Sequence, residues 1–357
     1  MIVLFGLLGL AFLFAGAELL ISGGTSLASR LNLSPLVIGL TLVAFGTSSP
    51  ELIVSVQGAI GGYGDLSLAN VIGSNIFNVL IILGISSQIV PLVVSQKLIQ
   101  RDVPLLIGLS LLLFLLGLDG LLMAWEGILL LVALIVYTTW AILQSRRETE
   151  QFRTEYEEML DQPLGFKSFE STWIQILMVI SGLAALLLGA RWFTTAAVSL
   201  ARLAGLSEWV IGITIVSAGT SLPEVGASVM ASIRGEQDIA VGNVVGSNLF
   251  NLMGVLGLST VLSSSSLVVR TMVLQFDLPF MIAVTVACLP VFFSGHRISR
   301  LEGVVFLAYY FIYLAILLLS PITGQPGYMT AFVVVLPLLL GTVFFVRMHP
   351  QGTTDGP

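Results

Sequence analysis

Apolar runs of about 20 residues follow one another along almost the whole chain, and Gly, Pro or a charge closes each of them. They predict about eleven membrane-spanning helices, near residues 3–28, 35–60, 66–90, 103–118, 121–144, 173–198, 208–233, 238–262, 272–294, 301–320 and 328–347. The longest polar stretch, near 145–172, falls between the fifth and the sixth. The first run carries Glu18 and has no basic stretch ahead of it, so it reads as a retained helix rather than a cleaved leader. The expected fold class is an all-α polytopic membrane protein.

Two of these runs carry the same motif, 173 positions apart. Gly39-Leu-Thr-Leu-Val-Ala-Phe-Gly46-Thr47-Ser48-Ser49-Pro50-Glu51 is matched by Gly212-Ile-Thr-Ile-Val-Ser-Ala-Gly219-Thr220-Ser221-Leu222-Pro223-Glu224, with eight of thirteen positions identical. A second block follows at the same offset, Asn70-Val-Ile-Gly73-Ser74-Asn75-Ile-Phe77-Asn78 against Asn243-Val-Val-Gly246-Ser247-Asn248-Leu-Phe250-Asn251. The match needs no gap from residue 16 to residue 84. Each copy holds five spans, an odd number, so the second copy is expected to sit inverted relative to the first, with the site near the bilayer midplane. The expected organisation is a first five-helix half over 1–145, a cytoplasmic loop over 146–172, and a second, inverted half over 173–320. An extra helix and a tail over 321–357 fall outside the symmetry.

Composition narrows the choices. Of 357 residues, 56% are hydrophobic and 10% charged, with a mean hydropathy of +1.03; soluble domains are about a quarter charged. A net charge of −6 leaves no basic face for nucleic acid. The single cysteine, Cys288, excludes an intrachain disulfide and a thiolate metal cage. With the N-terminus outside, eleven Lys and Arg residues fall on the cytoplasmic side and only Arg202 and Arg270 fall outside, Arg191 lying within the sixth span. The expected orientation is N-out and C-in.

The repeated motif has a specific chemistry. Pro50 removes a backbone donor that would point back toward Gly46, and Gly46 adds backbone freedom. The helix is expected to kink or open there and to free carbonyls around residues 44 to 47. In hydrocarbon such carbonyls need a partner. Glu51 lies one turn beyond Thr47 on the same face. Carboxylate, hydroxyl and carbonyl oxygens are the ligands that hard cations such as Ca²⁺ accept. The second copy supplies the same set from Ser217 to Glu224. Ser74 and Asn78 share a helix face, as do Ser247 and Asn251. A lone carboxylate at the midplane costs about 2.5–3.5 kcal/mol on insertion scales, so an empty pair takes up protons or cations rather than staying doubly charged. One Ca²⁺ neutralises both acids, and monovalent cations do so only by displacing it.

These residues resemble the two alpha repeats of the cation/calcium exchanger superfamily, especially its prokaryotic sodium/calcium exchanger-like branch. The resemblance covers roughly residues 1 to 320. It implies ten helices in two inverted halves and exchange of Na⁺ for Ca²⁺ at a central cluster, in the inner membrane of a prokaryote. Position by position, Glu51 and Glu224 match the central Ca²⁺ ligands. Thr47 and Thr220 match threonines that offer a carbonyl to Ca²⁺ and a hydroxyl to Na⁺. The carbonyls of Ala44 and Ser217 and the hydroxyls of Ser74 and Ser247 match Na⁺ ligands. Asn78 and Asn251 match the two polar residues at the centre, and Ser48 and Ser221 match serines beside the site.

Many exchangers of this kind carry Asp where this chain has Asn251. Three Na⁺ beside two carboxylates leave excess positive charge, whereas two protons balance it, so a Ca²⁺/H⁺ exchanger is the alternative. A cation channel would share the ligands but pass current without a counter-ion. An enzyme is disfavoured, because no His, Cys or Ser–base pairing lies in the spans. The expected partners are Ca²⁺, Na⁺ or H⁺, and the lipid bilayer, with no cofactor, nucleic acid or obligate protein partner. Glu18 and Arg191 occupy equivalent positions and are expected to snorkel or bond locally. Asp65 and Asp238 are expected to cap helices. The acids from Glu148 to Asp161 read as a solvated loop or short helix, and Asp119, Glu126, Asp277 and Glu302 as structural groups near span ends.

Overall fold

The structure, a computed structural model, describes residues 2–160, 171–205, 215, 217–293, 295–323 and 341. The expected eleventh span, the tail and the first part of the 208–233 span lie outside the described residues. Among the described residues, eight helices are long and apolar enough to cross a membrane. A ninth span forms if Pro35–Thr47 and Ser49–Ile60, bent by 48° at their junction, count as one.

The repeat of the sequence is a repeat of elements. Helices Ala44–Thr47, Ser49–Ile60 and Gly64–Phe77 recur 173 positions later as Ser217–Thr220, Leu222–Ile233 and Gln237–Phe250. Each Gly64–Phe77-type helix runs on through one π-helical turn, Asn78–Ile82 or Asn251–Val255, into a last α-helical stretch, Leu83–Ile89 or Leu256–Leu262. Farther on the offset grows to 175 and then 176, at the two-residue strands β1 (Leu92–Val93), β2 (Leu121–Leu122), β3 (Leu267–Val268) and β4 (Arg297–Ile298).

Contacts divide the chain into two units, Met1–Pro50 with Val132–Ser247, and Glu51–Leu131 with Asn248–Pro357. Each unit contains segments of both sequence copies. In the first, α1 (Ile2–Leu31) packs against α2 (Thr172–Leu203). Glycines recur every seven residues along α1, and there the helices touch backbone to backbone. A Cβ on Gly9 would meet Phe193 N at 2.6 Å, and one on Gly16 would meet Leu186 N at 2.6 Å. Contacts run backward along α2 as they run forward along α1, so the helices are antiparallel. The next helix begins with a true cap: the Ser34 hydroxyl accepts from Val37 N, and Pro35 occupies the first turn.

In the second unit, β1 pairs antiparallel with β4 (Leu92 with Ile298) and β2 with β3 (Leu121 with Val268), so each pair takes one strand from each copy. Gly127 and Gly257 pack backbone to backbone, and a Cβ on Gly303 would reach Gly84 O at 2.9 Å. Glu126 accepts from Met123 N, and Glu302 from Ser299 N, both at 2.7 Å, closing equivalent helix starts.

Three expectations are refined. The polar stretch after residue 145 does not begin as a loop: the helix Ala124–Leu160 continues through it. Its Glu, Gln and Arg residues are strong helix formers, and Gln144 donates to Glu148 at 2.9 Å, one turn on. Asp65 does not cap its helix. It sits in the first turn, where its charge suits the dipole, and pairs with Arg270. Asp238 likewise lies in a first turn.

Candidate cation site

The expected kink is a full break. Helix Ala44–Thr47 ends at Ser48, whose φ of −79° and ψ of 10° leave the helical region, and a new helix starts at Ser49. In the second copy Ser221, at φ −89° and ψ 8°, separates Ser217–Thr220 from Leu222–Ile233. The reason is local. A proline in a first turn loses no hydrogen bond, because the N–H it lacks would have no partner there. Pro50 and Pro223 therefore start helices instead of bending them. Glu51 and Glu224 fall in these first turns, at the positive end of the dipole. The helix that stops at Thr47 is closed by the Ser48 N–H, which bonds the Ala44 and Gly46 carbonyls. A π-helical turn, Gly39–Val43, precedes the first break, and such turns concentrate at functional sites.

In the first unit the two copies of the motif meet. Glu224 is fully buried, and Ser48 of the other copy donates to its Oε1 at 2.8 Å. Its Oε2 is buried with no hydrogen-bond partner among the described residues. Thr47, also fully buried, donates to Asn243 Oδ1 at 3.3 Å. The Asn243 amide nitrogen bonds the Glu224 carbonyl at 3.3 Å and Ser228 Oγ at 2.9 Å, fixing the turn that carries the carboxylate. Ser247 Oγ is buried without a partner. The Ala44 carbonyl accepts from Ser48 N at 3.0 Å and from the Thr47 hydroxyl at 3.4 Å. A Cβ on Gly246 would meet Leu40 Cα at 2.6 Å, so this glycine admits the turn before the break. Ser221 is buried, Thr220 lines an open cavity, and Ser217 begins the short helix.

The second unit holds Glu51, fully buried, and an amide cluster. Asn70 repeats the role of Asn243, donating to the Glu51 carbonyl at 3.3 Å and to Ser55 Oγ at 2.9 Å. Asn78 donates to Asn248 Oδ1 at 3.0 Å, and Asn251 to Asn75 Oδ1 at 3.4 Å, again across the copies. The Oδ1 atoms of Asn78 and Asn251 are buried without a donor among the described residues. Both residues open π-helical turns, and Ser74 lies buried one turn before Asn78.

A buried carboxylate needs its charge matched, and a buried amide oxygen needs a donor or an ion. Among the described residues, Glu224 Oε2 and Ser247 Oγ of the first unit, and Asn78 Oδ1 and Asn251 Oδ1 of the second, have no such partner. Oxygen atoms of these kinds are the ligands that hard cations accept.

Sequence reasoning named Asn70 and Asn243 only by spacing and passed over Ser55, Ser228, Asn75 and Asn248. All six recur at the offset of 173, and that recurrence is the signal that finds them. A further repeated acid, in Gln100-Arg101-Asp102-Val103-Pro104 and Gln275-Phe276-Asp277-Leu278-Pro279, is hidden by the shift of offset to 175. Each of these acids closes a π-helical turn, and Tyr313 donates to Asp277 at 3.0 Å. Glu18 pairs with Arg234, a residue unrelated to it by the repeat.

The family model described as sodium/calcium exchanger protein matches residues 1–143 and 174–319. CaxA of Alkalimonas amylolytica is 36% identical over 309 residues, covering 85% of this chain and 94% of its own. The sodium/calcium exchanger MaX1 of Methanosarcina acetivorans is 32% identical over 344 residues, covering 87% and 97%. Among solved structures, the sodium-calcium exchanger NCX_Mj soaked with Na⁺ and Ca²⁺ superposes with a TM-score of 0.74 at 29% identity, over 88% of this chain and 97% of that one.

Proposed function

The chain belongs to the sodium/calcium exchanger protein family, and we propose that within it this protein is a Ca²⁺ antiporter whose counter-ion is Na⁺. It is a transporter, not an enzyme, and a multi-pass membrane protein. The proposed architecture is two inverted five-helix halves with an extra C-terminal helix, N-terminus outside, in a prokaryotic inner membrane. Antiparallel α1 and α2, at equivalent places in the two copies, support the inversion.

The proposed ion ligands are the carboxylates of Glu51 and Glu224, the carbonyls of Ala44 and Ser217, and the side chains of Thr47, Thr220, Ser74, Ser247, Asn78 and Asn251, with Ser48 and Ser221 as serines beside the site. One observation carries this reading. A fully buried glutamate of one copy receives the motif serine of the other, while its second oxygen has no hydrogen-bond partner among the described residues. Ca²⁺ satisfies that oxygen and its charge together. Monovalent ions do so only in its absence, and mutual exclusion at one site reached alternately from two sides is exchange.

Asn251 gives the second reading its support. A neutral amide at this place leaves two carboxylates in the proposed set, and two protons would balance them. One comparison separates the counter-ions. Purified protein in sealed vesicles loaded with Ca²⁺ is given first an inward Na⁺ gradient, then an inward proton gradient at constant Na⁺. Efflux driven by Na⁺ is expected; efflux driven by protons alone replaces Na⁺ with H⁺, and a Ca²⁺ leak indifferent to both points to a channel.

A further inference from the structure

At matching positions of the first helix of each copy the chain carries opposite charges, Glu18 on α1 and Arg191 on α2. Glu18 is neutralised within the first unit, where Arg234 Nε donates to its Oε2 at 2.8 Å and the neighbouring guanidinium nitrogen bonds Oε1. Arg191 differs. It is exposed, lies inside a membrane-length helix and has no acidic partner among the described residues. It lines an open cavity of about 350 Å³ with Thr194, Pro50, Gly219 and Thr220. Thr194 Oγ1 is buried without a partner, and a Cβ on Gly219 would meet that oxygen at 2.5 Å. The cavity therefore reaches the short helix Ser217–Thr220, whose Thr220 is a proposed ion ligand.

We propose that Arg191 is a valence filter at one mouth of the ion site, a fixed cation that hinders Ca²⁺ more than Na⁺. The inference rests on the antiporter reading above. Coulomb energy scales with the charge of the moving ion, so the factor by which Arg191 weakens entry of a divalent ion is the square of the factor for a monovalent one. Arginine keeps its proton at any working pH, so the filter does not switch off. A charge kept within a membrane helix without a partner is costly and points to function. Arg202, three turns along the same helix face, lines the same cavity toward the end of α2. With the N-terminus outside, this mouth faces out. The filter then lets Na⁺ in, lets Ca²⁺ leave and resists its return. The equivalent position on α1 offers a neutral pair, so the two faces treat Ca²⁺ differently.

The test titrates Ca²⁺ and Na⁺ separately on the Arg191 face of oriented proteoliposomes, reading radioactive Ca²⁺ flux for wild type, Arg191→Gln, Arg191→Lys and Arg191→Glu. Arg191→Gln is expected to lower half-saturating Ca²⁺ about tenfold and half-saturating Na⁺ about threefold, with both shifts shrinking at high ionic strength. Arg191→Lys is expected to behave as wild type and Arg191→Glu to go beyond Gln. Equal shifts for the two ions, an unchanged Ca²⁺ response, or loss of flux in Lys and Gln alike would overturn the filter while wild-type exchange left the antiporter standing. Wild-type vesicles that exchange Ca²⁺ for no monovalent ion would remove both.

Discussion

At the first helix break, Asn70 reaches the Glu51 carbonyl at 3.3 Å and Ser55 at 2.9 Å; at the second, Asn243 reaches the Glu224 carbonyl and Ser228 at the same two distances. Elsewhere the likeness is incomplete. Glu18 is tied to Arg234, whereas its counterpart Arg191 faces a cavity. Ser67, which bonds the Ser55 carbonyl, is replaced by Ala240. The copies are alike in the bonds that fix the glutamate-bearing turns, and they differ in the charges on their first helices and in the serine that supports Ser55.

The sharpest way to break this comparison is to remove one acid. Glu51→Gln and Glu224→Gln are each expected to lower Ca²⁺ exchange in proteoliposomes at least about a hundredfold while the protein still elutes as a single folded species, because a buried charge opposite the ion is lost. Normal flux in one of them would show that the copies are not equivalent. A smaller effect is expected one step back. Asn70→Ala and Asn243→Ala each remove two bonds from a glutamate-bearing turn, about 1–2 kcal/mol, and should weaken Ca²⁺ binding by about tenfold in both cases, measured by calorimetry or flux titration. A large difference between them would mean that equal distances hide unequal roles.

Asn251→Asp adds a carboxylate to one copy alone. Half-saturating Na⁺ or the Na⁺ cooperativity is expected to change several-fold, and more than half-saturating Ca²⁺; an unaltered Na⁺ response would make the position a bystander. The smallest effect belongs to Glu18→Gln. Its pair with Arg234 is only partly buried within the protein, and a pair of this kind is expected to contribute about 1 kcal/mol. A fall of only a few degrees in melting temperature is expected, and a collapse of folding would show that the pair anchors α1.

Much of this was legible in the chain. Gly46, Pro50 and Glu51, recurring as Gly219, Pro223 and Glu224, locate both breaks, because a proline after a glycine leaves few other ways to run a helix. The burial of both acids follows from the apolar residues around them. Other features leave little trace. A two-residue strand has no alternation to read, so the pairing of β1 with β4 and of β2 with β3 was invisible. The π-helical turns at Asn78 and Asn251 depend on packing rather than composition. The kinship of Asp102 with Asp277 escaped because connecting segments of unequal length shift the register by two. The partner of Glu18 lies 216 positions away in sequence and outside the repeat, so spacing does not predict it.

The glycines at 9, 16 and 23 bring α1 against α2 with no interlocking side chains at those points, Gly9 and Gly16 touching its backbone directly. A methyl group added at position 9 or 16 would find no room between the two helices, so this seam tolerates no larger residue without driving them apart.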